Sequence, residues 1–106
     1  ALSGTAEGGR ALILIPVGEN DASVIQVRKF PFFIGRAPEE ADCCLEKSQI
    51  SQIHGRIENR GNEVYIVDMN SANGTFRNGE RLEPGTSYVL HTGDILKLAD
   101  LEFICQ

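Results

Sequence analysis

From Ala11 onward the chain is a succession of short runs rich in β-branched and aromatic residues, each closed by a turn signal. The runs are LILIPV, VIQVRKFPFFIG, CCLE, HGRIENR, EVYIVDM, TFR, RLE, TSYVL, DILKL and LEFICQ, and no segment has a convincing 3.6-residue apolar repeat. Short strands at such intervals, with no helix between them to cross over a parallel sheet, predict an all-β, two-sheet sandwich with little or no helix. Turn signals fall at Gly18–Asp21, at Pro38, and at 59–63, 70–74, 84–85 and 91–94. The sharpest is Asn78-Gly79, since a two-residue type I′ turn needs positive φ at both positions, which Asn and Gly tolerate best. A small hairpin over 75–83 follows.

Alternation assigns faces within the runs, because successive strand side chains point to opposite sides. In EVYIVDM, Val64, Ile66 and Asp68 share one face while Tyr65, Val67 and Met69 share the other, so apolar residues on both sides predict an inner strand. In LEFICQ, Leu101, Phe103 and Cys105 face inward with Glu102 opposite, which makes Cys105 a small core residue. Alternation buries only one of Cys43 and Cys44. Charged residues such as Glu58, Arg60 and Arg81 would guard an uncovered sheet edge.

The sequence has 106 residues, the size of one compact domain and most simply one site. Residues 1–9, ALSGTAEGG, are small and polar and read as a tail or linker, leaving 10–106 as the domain. A start at Ala1 reads as a piece of a longer protein. Ten basic against fifteen acidic residues give a net charge of −5, which offers no long-range attraction to nucleic acid or an anionic membrane. Three cysteines cannot all pair and lack metal-site spacing, so reduced thiols in a cytoplasmic or other reducing compartment are expected. No apolar run reaches the ~18 residues of a membrane span, and a soluble domain, monomeric in isolation, is expected.

The polar residues near turns carry the functional signal. Arg36 follows Ile34-Gly35 at the end of an apolar run, Ser51 opens a strand-edge segment, and Ser71 and Asn73 lie in a long turn before Gly74. Loops of a sandwich gather at its two ends, so these residues can converge. Together they would offer a guanidinium, a hydroxyl and a carboxamide. A phosphate presents three acceptor oxygens and close to two negative charges, which suits an arginine fork with a neutral donor beside it. Asn73, both donor and acceptor, suits the backbone of an extended peptide. Glycines at 35 and 74 permit sharp turning or close approach.

Four stretches in order, FFIGR (32–36), SQIHGRI (51–57), VDMNSANGTFRNGERL (67–82) and YVLHTGDILKL (88–98), resemble the successive motifs of the forkhead-associated (FHA) domain. The resemblance implies a sandwich of about eleven strands whose loops at one end bind phosphothreonine in a partner protein or peptide. By position, Arg36 resembles the phosphate-binding arginine, Ser51 the phosphate-binding serine and Asn73 the residue that holds the peptide main chain. Gln52 and Ser71 flank these as further peptide contacts. Gly35, His54, Gly74 and Thr75 match loop-supporting positions, with His54 bracing the loop that aims Ser51. Lys47, in the loop before Ser51, is a candidate for one more phosphate contact.

Two positions depart from the family's commoner pattern. Where a basic residue or asparagine often follows the serine, Gln52 offers only an amide. Where a hydroxyl residue often precedes the asparagine, Ala72 has none, and Ser71 lies one residue away. Glu39, Glu40 and Asp42, just beyond Arg36, are either solubilising loop residues or a filter against acidic neighbours of the phosphothreonine.

Two other classes of function fit these residues less well. Ser51, His54 and Asp68 are the residue types of a hydrolase triad, but no nucleophile-elbow motif surrounds the serine and no oxyanion-hole candidate accompanies it, so no enzyme is expected. Cys43, Cys44, His54 and His91 lack metal-ligand spacing, so no metal or other cofactor is implied; His91 reads as part of a turn. The alternative binding mode is an FHA-like interaction or autoinhibitory module that works without phosphate.

Overall fold

The computed structural model describes residues 11–106, so the tail expected at 1–9 lies outside the described residues. Eleven strands follow one another: β1 (Leu12–Pro16), β2 (Ile25–Val27), β3 (Phe32–Gly35), β4 (Cys43–Cys44), β5 (Gly55–Arg60), β6 (Glu63–Asp68), β7 (Thr75–Arg77), β8 (Glu80–Arg81), β9 (Ser87–Leu90), β10 (Ile95–Leu98) and β11 (Leu101–Cys105). They form a six-stranded sheet, β2-β1-β11-β10-β7-β8, and a five-stranded sheet, β4-β3-β5-β6-β9. All neighbours are antiparallel except β3 and β4. No helix among the described residues is long and apolar enough to cross a membrane.

Alternation predicted the packed faces well. Leu12 and Leu14 of β1, Ile57 of β5, Val64 and Ile66 of β6, Leu96 and Leu98 of β10, and Leu101, Phe103 and Cys105 of β11 point between the sheets and form one continuous core. β6 lies between β5 and β9, as its two apolar faces imply. The turn at Asn78-Gly79 has φ of 51° and 86°, the left-handed pair expected of a type I′ hairpin, and it joins β7 to β8.

One run behaves differently. VIQVRKFPFFIG is not a single strand: β2 ends at Val27 in the first sheet and β3 begins at Phe32 in the second. Pro31, which has no N–H for a ladder bond, lies between them, and the chain crosses from one sheet to the other there. The edge assignments also shift. Glu58 and Arg60 sit on the inner strand β5, where Glu58 contacts both Arg56 and Arg60, whereas Arg81 does lie on the edge strand β8.

Cys105 is fully buried, while Cys43 and Cys44 are each half-buried. Burial, with the Asp94 carboxylate nearby, pushes the Cys105 thiol up to about 12. Its contribution to stability is therefore fully present below the ordinary thiol value of 9.0 and is lost as pH rises toward 12. A thiol reagent at pH 8 should label Cys105 only after unfolding. Mass spectrometry of the labelled peptides checks this, and rapid labelling of Cys105 in the native protein would contradict the burial.

Candidate functional site

The loops after β3, before β5 and after β6 meet at one end of the sandwich, and backbone contacts hold them in register. Arg36 N–H donates to Ser51 O at 2.9 Å, Ala37 N–H to Gln52 O at 3.1 Å and His54 N–H to Ile34 O at 2.8 Å. The 51–53 segment thus lies flat across the end of β3. Gly35 makes this approach possible, since a Cβ there would sit 2.1 Å from Gln52 O.

His54 ties this segment to the 70–74 loop. It is completely buried. Its Nδ1 accepts from the Ser51 backbone N–H at 3.2 Å and its Nε2 lies 2.8 Å from Gly74 O. One ring nitrogen accepting and the other donating is the pattern of a neutral imidazole protonated on Nε2. Both nitrogens face backbone, so the ring is a brace between two loops.

A second brace lies beneath the 70–74 loop. Asp68, at the buried end of β6, accepts from Ser71 Oγ at 2.5 Å and Thr75 Oγ1 at 2.6 Å, and its other oxygen accepts from Ser71 N–H at 3.1 Å. Ser71 Oγ also accepts from Gly74 N–H at 3.0 Å. Thr75 is fully buried and Ser71 nearly so. This corrects the reading of Ser71 as a peptide contact. Its hydroxyl is committed on both sides, and it supports the loop from within, as Thr75 and Gly74 do.

Above these braces lie Arg36, Ser51 and Asn73. Arg36 Nε donates to Ile50 O at 2.9 Å, which pins the guanidinium beside the residue preceding Ser51. Its two Nη groups have no protein partner among the described residues. Ser51 Oγ accepts from Ala72 N–H at 2.9 Å, leaving its own proton to donate elsewhere. Asn73 is exposed, and its Nδ2 donates to Gln49 O at 2.8 Å, leaving Oδ1 as an acceptor toward solvent. Gln52 is exposed next to Ser51.

Lys47 does not reinforce this group. Its Nζ is 2.7 Å from Asp21 in the β1–β2 loop, and the lysine's hydrogen bond and charge hold the Asp21 carboxyl below the usual carboxylate range. It therefore belongs to the wall of an open cleft of about 560 Å³ lined also by Glu19, Asn20, Gln49 and Asp100. Asp42 is likewise occupied: Lys29 lies at 2.8 Å, and the Phe33 N–H donates to it. The acidic group beyond Arg36 reduces to Glu39 and Glu40, both exposed.

No relay links Ser51, His54 and Asp68. The imidazole contacts the serine's backbone, not its hydroxyl, and the carboxylate is bonded to Ser71 and Thr75. Among the described residues no three His, Cys, Asp or Glu side chains converge on a point that could hold a metal ion.

The FHA domain family model matches residues 32–99. The chain belongs to the FHA family. It is 29% identical over 96 residues to the oxoglutarate dehydrogenase inhibitor of Corynebacterium jeikeium, an alignment that covers 91% of this chain and 64% of that protein. The chain spans 17% to 65% of the length of three curated relatives that it matches. Among solved structures it is similar to an FHA domain studied for phosphothreonine-dependent interactions, with 26% identity, a TM-score of 0.77, and coverage of 91% of this chain and 95% of that one. It is also similar to Mycobacterium tuberculosis EmbR in complex with a low-affinity phosphopeptide, with 25% identity, a TM-score of 0.81, and coverage of 96% of this chain and 26% of that one.

Within this FHA domain, two features of the site escaped sequence reasoning. Alternation puts Asp68 on an apolar face, where an acid signals buried hydrogen-bond partners, but its partners at 71 and 75 lie beyond the strand. The Ala72 backbone N–H and the Gln49 carbonyl leave no trace in side-chain identity at all.

Proposed function

We propose that this FHA domain binds phosphothreonine-containing segments of partner proteins, with Arg36 and Ser51 taking the phosphate and Asn73 the peptide backbone. The observation that carries this is the state of the Ser51 hydroxyl. It is oriented by the Ala72 N–H, its proton has no acceptor among the described residues, and Ser51 follows directly on the residue whose carbonyl pins Arg36. With Nε fixed on Ile50, the guanidinium offers its Nη edge, two parallel donors matched to two phosphate oxygens.

Charge-assisted hydrogen bonds contribute about 1.5–3 kcal/mol each, so two from Arg36 and one from Ser51 supply roughly 4.5–9 kcal/mol before ordering costs. Micromolar affinity requires about 8 kcal/mol. The domain is thus a modest, reversible binder that depends on peptide contacts as well. Pinning of Arg36, Ser51 and Asn73 before the ligand arrives lowers the ordering cost.

Calorimetry with one threonine peptide in phosphorylated and unphosphorylated forms tests the reading. Only the phosphorylated form should bind, and equal affinities would exclude it. Ser51→Ala should weaken binding at least about tenfold, the worth of one charge-assisted bond. Asn73→Ala should reduce affinity while thermal unfolding stays cooperative, because its one side-chain hydrogen bond among the described residues is an exposed one to Gln49 O.

A further inference from the structure

Among the nine lysine and arginine side chains in residues 11–106, seven are engaged by hydrogen bonds or ion pairs with described residues. The remaining two are Arg81 and Lys97. They flank the same ring: the Lys97 Nζ lies 4.6 Å and the Arg81 guanidinium carbon 5.9 Å from the Phe76 centroid. Cross-strand pairing explains the grouping, since Phe76 of β7 pairs with Arg81 of β8 on one side and with Lys97 of β10 on the other. Thr75 beside them points into the core, so this row stands on the outer face of the six-stranded sheet.

The row adjoins the peptide site. A Cβ at Gly74 would sit 2.8 Å from Arg81 Nε and 3.1 Å from the Phe76 ring, so guanidinium and ring both lie against the residue that follows Asn73. Neither cation has an ion-pair partner among the described residues. Glu102 stands opposite Lys97 across the strands and Glu80 precedes Arg81, yet neither forms an ion pair with them. In a protein of net charge −5, two cations without an ion pair among the described residues, on an aromatic shelf with one cross-strand carboxylate beside them, leave a local excess of positive charge.

We infer that the Arg81–Phe76–Lys97 shelf is a second contact surface of this FHA domain, and that it selects phosphothreonine segments carrying an acidic side chain a few residues from the phosphate. This rests on the phosphothreonine reading above and extends it to the flanking sequence. Charge complementarity and continuity with the Asn73–Gly74 loop specify the occupant. Phe76 lies three residues along the chain from Asn73, so at ~3.3 Å per extended residue the two are at most roughly 10 Å apart, about three residues of an extended ligand, and an acidic side chain three or more residues from the phosphate reaches the shelf. Arg81 acts as a specificity-determining residue, touching the ligand's flank and leaving the phosphate to Arg36.

The test compares phosphothreonine peptides with glutamates placed three to five residues before or after the phosphothreonine against glutamine-substituted controls. Fluorescence anisotropy is read in the intact domain and in R81Q/K97Q, each checked by thermal melting. One of the two acidic arrangements should bind about fivefold tighter than its control, the scale of partly exposed charge pairs, and added salt should erase the ratio. In R81Q/K97Q the ratio should fall to about one. A ratio near one in the intact domain, or one that survives in R81Q/K97Q, overturns the shelf while phosphate-dependent binding of the control leaves the main reading standing. Absence of phosphate-dependent binding by any peptide overturns both.

Discussion

Arg36→Ala should abolish measurable binding of a phosphothreonine peptide while leaving the domain folded. The substitution removes both Nη donors, about 3–6 kcal/mol of charge-assisted hydrogen bonding. From a micromolar complex of about 8 kcal/mol, the roughly 2–5 kcal/mol left corresponds to a dissociation constant of about 0.2 mM or weaker. The cost to folding is far smaller, because Arg36 is half-buried and makes one side-chain hydrogen bond, to Ile50 O. A loss of about 1 kcal/mol is expected, a shift of roughly 4–8 °C in the melting midpoint for a domain of this size. Arg36→Lys separates charge from geometry. Lysine keeps the positive charge but has no Nε to anchor on Ile50 and no planar fork, so binding should still fall at least about tenfold. Calorimetry beside circular-dichroism melts reads both effects. Undiminished affinity in a folded Arg36→Ala domain would place the phosphate elsewhere.

The fold was legible to the extent that it depends on alternation and turns. β6 and β11 have the faces expected of them, and the Asn78-Gly79 hairpin formed where two tolerant residues meet. A period of two specifies which side of a sheet a residue faces, but not which sheet its strand joins, which is why β2 and β3 could be read as one run. The candidate site was legible for side chains whose chemistry is outward and specific. Arg36, Ser51 and Asn73 stand at the meeting of three loops, and His54 lies between the Ser51 N–H and Gly74 O. Residues differing only in which neighbour they face were not separable. Ser71 and Asn73 share a polar turn, yet one hydroxyl points down to Asp68 while the other residue's amide lies at the surface. Lys47 and Asp21 are 26 residues apart, and only the packing of two loops brings them together.

Gly35→Ala should damage both the site and the stability of the domain through a single methyl group. The added Cβ would stand 2.1 Å from Gln52 O, 2.8 Å from Gln52 C and 2.9 Å from Ile53 Cα. All three are backbone atoms, so no side chain can rotate away to make room. The 51–53 segment must lift from the end of β3, which strains or breaks the bonds from Arg36 N–H to Ser51 O and from Ala37 N–H to Gln52 O. Overpacking costs about 1–3 kcal/mol and each lost bond about 1 kcal/mol more. A combined loss of roughly 3–5 kcal/mol lowers the melting midpoint by at least about 12 °C. Phosphopeptide affinity should fall as well, even at temperatures where the variant remains folded. Lifting the segment moves Ser51 away from Arg36 and pulls its backbone N–H off His54 Nδ1, uncoupling the brace that joins the two loops. Gly55→Ala is the control: its Cβ would meet Ile66 Cδ1 at 3.4 Å, an ordinary contact, and should be tolerated far better. A Gly35→Ala domain that melts with Gly55→Ala and binds normally would mean that the loop does not rest on β3 as closely as these distances require.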